Sequence, residues 1–444
     1  MDSAPPDTAN DAASAGAPAA SDAAPGTVAA ATLPSAGNPE KRAYPAPAAA
    51  PTQHGPRGIR FDFNEGARVT LPEGAAPWKV RLRDLDTGNI LFDTTLKSGF
   101  VNSSKRFFVR FRIEVWQNEE TVLRHDYDAA GRRVLVFMPV GTLGDTLGWF
   151  PYAAKFAAQH KCRLTCGMAE KLIPLFRDAY PEIEFLAHEA VQPEEYYATY
   201  YVGLFFGDEG NVWQPCDFRL VGLHRTAGYI LGVDPTETPP LLGVPDEGRP
   251  IAEPYVAIAT QSTTQCKYWN NPQGWRDVVR ALKAAGYRVV CIDQKPVHGH
   301  GLVWNHIPHG AEDETGDRPL AERVRWLRHA EFFVGLSSGL SWLAWAAGIP
   351  VVMIAGFTHP TNEFATPYRV MNYHACNGCW NDMRLRFDHK DFLWCPRHAG
   401  TPRQFECTRL ITAEHVIATI RRVPAMAGRL ARMPAVAQAA DSQA

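Results

Sequence analysis

From Arg60 onward, apolar side chains alternate with polar ones. Phe61 and Phe63 stand between Arg60, Asp62 and Asn64, Val80 and Leu82 stand between Lys79, Arg81 and Arg83, and Phe, Val, Phe and Ile interleave with arginine from Phe107 to Ile113. A period of two buries one face of a strand and wets the other. Asn64-Glu65-Gly66 and Asp86-Thr87-Gly88-Asn89 separate these runs with turn formers, so antiparallel hairpins in a small β domain over 57–125 are expected. Asp84-Leu85-Asp86 and Asp126-Tyr127-Asp128 have the form of a metal-nucleotide DxD motif, but the turn residues after each favour plain turns.

After Gly131 the pattern changes. Arg133-Val134-Leu135-Val136-Phe137-Met138-Pro139 is a nearly continuous apolar run, as in a parallel strand covered on both faces. Gly141-Thr-Leu-Gly-Asp145-Thr-Leu-Gly148 then opens a helix to about His160, which makes half of a βαβ unit. A helix near Met168 to Tyr180, a strand at Ile183 to Ala187 and the aromatic stretch Tyr196 to Phe206 complete an N-terminal Rossmann-like domain over 126–235. The proline-rich Asp234 to Pro250 reads as a linker.

A second series, 236–424, has strands at Tyr255 to Ala259, Tyr287 to Ile292, Phe332 to Gly335 and Pro350 to Ala355. Its helices are expected at 272–285, with Asn271 as N-cap and Pro272 at N1, at Leu320 to His329 and at Leu340 to Ala347. Two such halves leave a cleft between them, where ligands bind in this architecture.

Composition sets the limits. Residues 1–56 are Ala, Pro, Gly, Ser, Thr and Asp with few large apolar side chains, too little to offset ordering entropy, and 425–444 repeat that composition; both are expected to be flexible tails. Forty-five Lys and Arg against 47 Asp and Glu give a net charge of −2, which argues against nucleic acid or anionic lipid as partner. No apolar run approaches the roughly 20 residues that span a bilayer. Met1-Asp2-Ser3-Ala4-Pro5 lacks the basic and apolar regions of a secretion signal, so a cytoplasmic protein with reduced thiols is expected.

Cysteine usage is the most specific signal. Cys376-Asn-Gly-Cys379 is followed, after 15 residues, by Cys395 and, after 11 more, by Cys407, within a segment (374–408) poor in apolar periodicity. Gly378 permits the tight turn that brings the first two sulfurs together, and four spaced thiolates can wrap a tetrahedral metal. Two disulfides or four unrelated thiols are the plain readings; the first needs an oxidising compartment. His374 and His398 could replace a thiol, and spacing does not choose between iron and zinc. Cys162, Cys166, Cys216, Cys266 and Cys291 are scattered.

Three further features face the expected cleft. Gly335-Leu-Ser337-Ser338-Gly339-Leu-Ser341 lies between a strand and a helix start, where free amides receive a pyrophosphate, although capping by Ser338 explains it equally. Lys267 can give a point charge to a phosphate or be a solvated loop lysine. Asp145 can cap its helix or act as general base on an acceptor hydroxyl.

Taken together, Gly141-Thr-Leu-Gly-Asp-Thr-Leu147, Lys267-Tyr-Trp with Trp275, Gly335-Leu-Ser-Ser-Gly-Leu-Ser-Trp-Leu-Ala-Trp-Ala-Ala-Gly-Ile-Pro350 and Gly356-Phe-Thr-His-Pro360 resemble the ADP-heptose-dependent heptosyltransferases of GT-B fold. With the β domain and the four cysteines, the chain is similar over about 58–420 to the bacterial autotransporter heptosyltransferases, which carry a four-cysteine iron finger. The resemblance implies an α/β GT-B fold, heptose transfer to serines of an autotransporter adhesin passenger, and a homo-oligomer. It places the base on Asp145, donor contacts on Thr142, Lys267, Ser337, Ser338 and Gly339, and a metal, iron with zinc as the substitute, on Cys376, Cys379, Cys395 and Cys407. Where lipopolysaccharide heptosyltransferases tend to carry Asp-Thr-Gly at the donor loop, this chain has Ser337-Ser338-Gly339. A lipopolysaccharide-type heptosyltransferase and a non-enzymatic metal-finger interaction protein are the alternatives.

Overall fold

These apolar patterns become four sheets in the computed structural model, which describes residues 45–139, 141–192 and 195–432. The antiparallel strands at the start are β1 (Gln53–His54), β2 (Arg60–Asn64), β3 (Arg68–Leu71), β4 (Trp78–Asp84), β5 (Ile90–Leu96), β6 (Gly99–Asn102), β7 (Phe111–Gln117) and β8 (Glu120–Asp126). They do not all form one layer, as the alternation suggested. β5-β4-β7-β8 is a separate antiparallel sheet, whereas β2, β3 and β6 extend a larger sheet built mainly from the next domain. Burial explains the division: Val80, Leu82, Ile113 and Val115 of β4 and β7 are buried while the residues between them are not, but Phe61, Asp62, Phe63 and Asn64 of β2 are buried consecutively. Such a strand needs cover on both faces, which a two-sided sheet supplies.

A buried ion pair anchors β2 to β3. Asp62 is fully buried and accepts hydrogen bonds from Arg68 Nε (2.8 Å) and Nη2 (2.7 Å), from Asn64 Nδ2 (2.8 Å) and from the Thr52 amide (3.0 Å). Removing one partner of such a pair typically costs about 3–5 kcal/mol. The same network orders the segment from residue 45, which composition had assigned to a tail: Arg68 donates to Ala48 O (2.8 Å), Tyr201 Oη to Pro45 O (2.7 Å), and Thr52 Oγ1 to Tyr196 O (2.9 Å). The rest of that expected tail, 1–44, lies outside the described residues.

The first Rossmann-like half follows with β9 (Arg133–Phe137), α1 (Leu143–His160), β10 (Arg163–Met168), β11 (Glu184–Ala187) and β12 (Ala198–Tyr201). Its sheet runs β11-β10-β9-β12-β2-β3-β6, and β12 takes β2 as a parallel neighbour. No helix covers Met168 to Tyr180: β10 ends at Met168, and Glu170–Leu175 is a run of 3-10 turns with Pro174 inside it. Proline supplies no amide to an α-helical ladder, which favours the shorter form. Two helices that apolar periodicity did not predict, α2 (Phe218–Val221) and α3 (Arg225–Leu231), precede the linker, and 234–250 carries neither helix nor strand.

The second half contains β13 (Tyr255–Ile258), α4 (Gly274–Ala284), β14 (Arg288–Cys291), the hairpin β15 (Val297–His300) and β16 (Val303–His306), β17 (Glu312–Asp313), α5 (Leu320–Arg328), β18 (Phe333–Leu336), α6 (Gly339–Ala346), β19 (Val351–Ile354), β20 (Arg369–Val370), α7 (Glu406–Arg409) and α8 (Ala413–Ile420). Its parallel sheet runs β17-β14-β13-β18-β19-β20. The start of the expected C-terminal tail is packed: Met426 is buried, and Tyr287 Oη donates to Ala425 O (2.6 Å), while 433–444 lie outside the described residues. Among the described residues no helix is long and apolar enough to cross a membrane.

Candidate active site

Two helix N-termini, one from each half, meet at the cleft. Leu143 opens α1 after Thr142 as N-cap, and Gly339 opens α6 after Ser338. A Cβ on Gly339 would lie 3.1 Å from Leu143 Cβ and 3.4 Å from the Gly144 amide, and one on Gly144 would lie 2.8 Å from Trp342 Cδ1. Only glycine allows this approach. It sets the positive ends of two helix dipoles side by side, an arrangement suited to a doubly charged phosphate group.

Asp145 lies inside the first turn of α1 rather than at its cap, which corrects the capping reading: the N-cap is Thr142, and its hydroxyl donates to Asp145 Oδ2. Burial pushes the Asp145 carboxyl above its usual range, opposed by that hydrogen bond and by the charges of Lys267 and His389. Surface area places the residue half-buried, so its carboxyl is desolvated while its edge still opens to the cleft.

Lys267 is not a solvated loop lysine. Its Nζ lies 5.6 Å from the ring centroid of Phe357, 5.9 Å from Trp380 and 6.0 Å from Phe387. Three ring faces hold the ammonium without neutralising it, leaving its charge available to an anion.

The serine loop is anchored by a buried ion pair. Ser337 Oγ donates to Glu363 Oε1 (2.5 Å), whose other oxygen takes Arg369 Nη1 (3.0 Å); the Glu363–Arg369 pair is nearly fully buried. Ser338 makes no side-chain cap bond, and its buried Oγ has no partner among the described residues. That removes the capping explanation for this hydroxyl and leaves it free for a ligand. Glu363 could not be found from spacing, because nothing in Asn362-Glu363-Phe364 signals that it reaches back to β18.

The four-cysteine segment is built around aromatic side chains. Phe218, Phe357, Trp380, Phe387 and Trp394 form one buried cluster with Cys266 and Cys379. Gly378 (φ 66°) makes the turn of the CxxC pair, and Gly356 lies so close to Cys407 that a Cβ there would be 2.4 Å from its carbonyl oxygen. All nine cysteines are free of disulfides. Cys376, Cys379, Cys395 and Cys407 lie within electrostatic reach of one another, so burial first and then the neighbouring thiols hold Cys379 up at about 12 and push Cys407 higher still. Arg397 points Nη1 at Cys376 Sγ (3.7 Å), a positive charge beside the expected thiolates. The tightest set of ligand atoms, all within 4.8 Å, is Cys376, His398 and Glu406, but Glu406 is engaged by Arg403 and by the Cys376 amide. Among the described residues no three of the four cysteine sulfurs all lie within 4.8 Å of one another. It is the chemistry of the donor set, four thiols in one segment beside the Arg397 charge, and not a closed cage that suits a four-thiolate metal.

The segment also bridges the halves. Arg219 of α2 donates to Met383 O (3.1 Å) and Leu385 O (3.2 Å), Asn381 Nδ2 donates back to Arg219 O (2.9 Å), and Gln265 N donates to Phe392 O (2.9 Å).

A family model described as glycosyltransferase TibC, N-terminal domain, matches residues 55–119, and one described as glycosyltransferase family 9 (heptosyltransferase) matches 237–386. The chain is 59% identical over 377 residues to the autotransporter heptosyltransferase BAHTCr of Citrobacter rodentium (strain ICC168), covering 84% of this chain and 91% of that one. It is 51% identical over 386 residues to a Burkholderia thailandensis (strain ATCC 700388 / DSM 13276 / CCUG 48851 / CIP 106301 / E264) protein named inactive autotransporter heptosyltransferase BimC, covering 87% and 90%. A solved structure of TibC, a dodecameric iron-containing heptosyltransferase in complex with ADP-D-β-D-heptose, superposes with a TM-score of 0.82 at 56% identity, covering 85% of this chain and 98% of that one.

Burial of Asp145 has a thermodynamic consequence. Its folded value is raised, so the penalty is absent below the ordinary carboxylate range, grows as pH rises through it, and is complete above the raised value. Asp145→Asn should therefore melt above the wild type at about pH 8, with the gain shrinking as pH falls toward about 4. Differential scanning fluorimetry across that range checks this; a mutant that melts below the wild type at about pH 8 contradicts it.

Proposed function

The chain belongs to the autotransporter heptosyltransferases, and on that premise we propose that it moves heptose from ADP-heptose to serine hydroxyls of an autotransporter adhesin passenger, with inversion. The observation that carries this reading is the desolvated Asp145 carboxyl beside the caged Lys267 at the junction of α1 and α6. The diphosphate rests against the amides that open the two helices, with Thr142, Ser337, Ser338 and Gly339 lining it and Lys267 facing the leaving oxygen. Asp145 removes the serine proton as that oxygen attacks the anomeric carbon. The bond from carbon to the diphosphate breaks, and its electron pair leaves with ADP. A raised carboxyl is the stronger base once ionised, which suits it to a weakly acidic alcohol. The nine unpaired thiols support a reducing compartment, the cytoplasm, as the place of action.

One relative of comparable identity is named inactive, so turnover is the deciding test. Intact mass of a passenger fragment incubated with ADP-heptose and this protein should rise in steps of one heptose. Asp145→Ala should slow that rise by about 10² to 10⁴. Absence of any step, from folded and metal-loaded protein, would place the chain beside its inactive relative.

Cys376, Cys379, Cys395 and Cys407 are the residues that would hold the iron described for TibC. Bound there, the metal supplies a cross-link for a segment whose only helical pieces are Cys379–Asn381 and α7, and four thiolates leave it no position for substrate. Cys379→Ser should lose the metal by elemental analysis and lower the melting temperature by several degrees. A metal-free mutant that melts like the wild type would show that the thiols carry no structural ion.

An oligomer also fits the surface. The edge strand β5 exposes Ile90, Leu91 and Phe92, and Phe100 on β6 is 67% exposed. An uncovered apolar edge invites pairing, and a second copy of this chain is the proposed cover. Phe92→Glu should reduce the particle mass by light scattering; an unchanged mass would put the interface elsewhere.

A further inference from the structure

Each hydroxyl at the junction has one hydrogen to give, and three of the four have already given it. Thr142 donates to Asp145 Oδ2, Ser337 to Glu363 Oε1 (2.5 Å) and Ser341 to Leu336 O, whereas the buried Ser338 Oγ has no partner among the described residues. A hydroxyl whose hydrogen is engaged keeps its lone pairs and can only accept. The oxygens of an ionised phosphate are acceptors too, so such a group offers them nothing.

The direction of the Ser337 bond is set by its partner. Glu363 is 2% exposed, and its other oxygen takes Arg369 Nη1 at 3.0 Å in a buried ion pair. A carboxylate so paired has no hydrogen to return, and Asn362 Nδ2 donates to the same Oε1 at 3.3 Å. Turning the Ser337 hydrogen toward a ligand would strip a bond from a buried charge, which desolvation penalises. Ser341 is fully buried, out of reach of a ligand.

We propose that Ser337 accepts a hydrogen bond from a hydroxyl of the transferred sugar, that Ser338 is the loop hydroxyl that donates to the diphosphate, and that Glu363 is the positioning residue behind this division. Resting on the transfer reading above, the division sets a sugar hydroxyl, which can donate, against the serine that must accept. It sets phosphate oxygens, which can only accept, against the serine that can give. The sugar is joined to the diphosphate through one oxygen, and consecutive Cα atoms stand about 3.8 Å apart, so neighbouring residues can serve both. A ribose hydroxyl offers the same chemistry as a heptose hydroxyl, and the choice of ligand tells them apart.

Calorimetric titration of the full, metal-loaded chain with ADP-heptose and with ADP tests this. Ser337→Ala should weaken ADP-heptose about tenfold and leave ADP within about twofold. Ser337→Thr, which keeps the hydroxyl, should bind both ligands as the wild type does. Ser338→Ala should weaken both by a similar factor. Glu363→Gln should lose affinity for ADP-heptose alone, because an amide can donate to Ser337 and release its hydrogen, whereas a merely structural role would lower both affinities in step. If Glu363→Gln melts below the wild type, the Ser337 variants decide. ADP weakened by Ser337→Ala as much as ADP-heptose puts the contact on the ribose or the phosphates and overturns the proposal. Affinities unchanged by Ser337→Ala, or lost in step in a stable Glu363→Gln chain, overturn it too. Binding needs no turnover: a wild type that binds ADP-heptose but moves no heptose defeats the transfer reading alone, with the variants still deciding this one, and a wild type that binds no ADP-heptose defeats both.

Discussion

The approach of α1 to α6 is the contact on which the rest of the site depends. Gly144 and Gly339 bring two helix starts from different halves within van der Waals distance, with Trp342 lying over the N-terminal turn of α1. Two positive helix ends this close repel each other in the empty protein, and an anion between them removes that cost. For the proposed diphosphate, binding strength would therefore reside in the backbone geometry of the junction, with side chains refining it. The same contact brings Asp145, which gains nothing from burial as a folding element, to the edge of the anion site. Such a group persists because the surrounding packing over-determines its place.

The four-cysteine segment holds this junction from the other side. Its rings cage Lys267, its backbone accepts from Arg219 in the first half, and Trp380 Nε1 donates to Asn362 Oδ1 beside Glu363, the partner of Ser337. A metal that knits this segment would thus fix the leaving-group lysine, the serine loop and the spacing of the halves together, with no substrate atom touching it. On this view the finger's contribution to catalysis is positional.

How much of this could be read from the chain follows from the range of each signal. The CxxC-x15-C-x11-C spacing, the alternation in β4 and β7 and the apolar run of β9 are local patterns, and local geometry enforces them. Asp145, Lys267 and Ser338 were legible as candidates, each balanced by an ordinary explanation; the structure puts Thr142 rather than Asp145 at the cap, sets Lys267 among three rings and gives the Ser338 side chain no cap bond, while their functional roles belong to the proposal. Glu363 and the rings of Phe357, Trp380 and Phe387 were not legible, because their meaning lies in which distant residue they meet. The same limit hid the destination of β2, β3 and β6: a period of two shows that a strand has a buried face but not which sheet buries it. Only the consecutive burial of Phe61 to Asn64, a tertiary fact, sends β2 to the parallel sheet.

Under the proposed reaction, donor binding and proton transfer fall on different parts of the junction. On that reading donor grip would be spread over two helix starts, a serine loop, a caged lysine and a segment bonded to both halves, so no single substitution would remove all of it. Proton transfer, in the proposed reaction, would rest on the one carboxyl of Asp145, and that group is held there against its own desolvation. Losing it relieves folded-state strain and leaves the scaffold intact, so selection for stability alone would favour the loss. A variant of this chain that lacks only that carboxyl is then expected to remain folded and, on the proposed reading, to retain affinity for the nucleotide. Under the proposed reaction, the desolvated Asp145 carboxylate of this chain is then maintained for turnover rather than for stability.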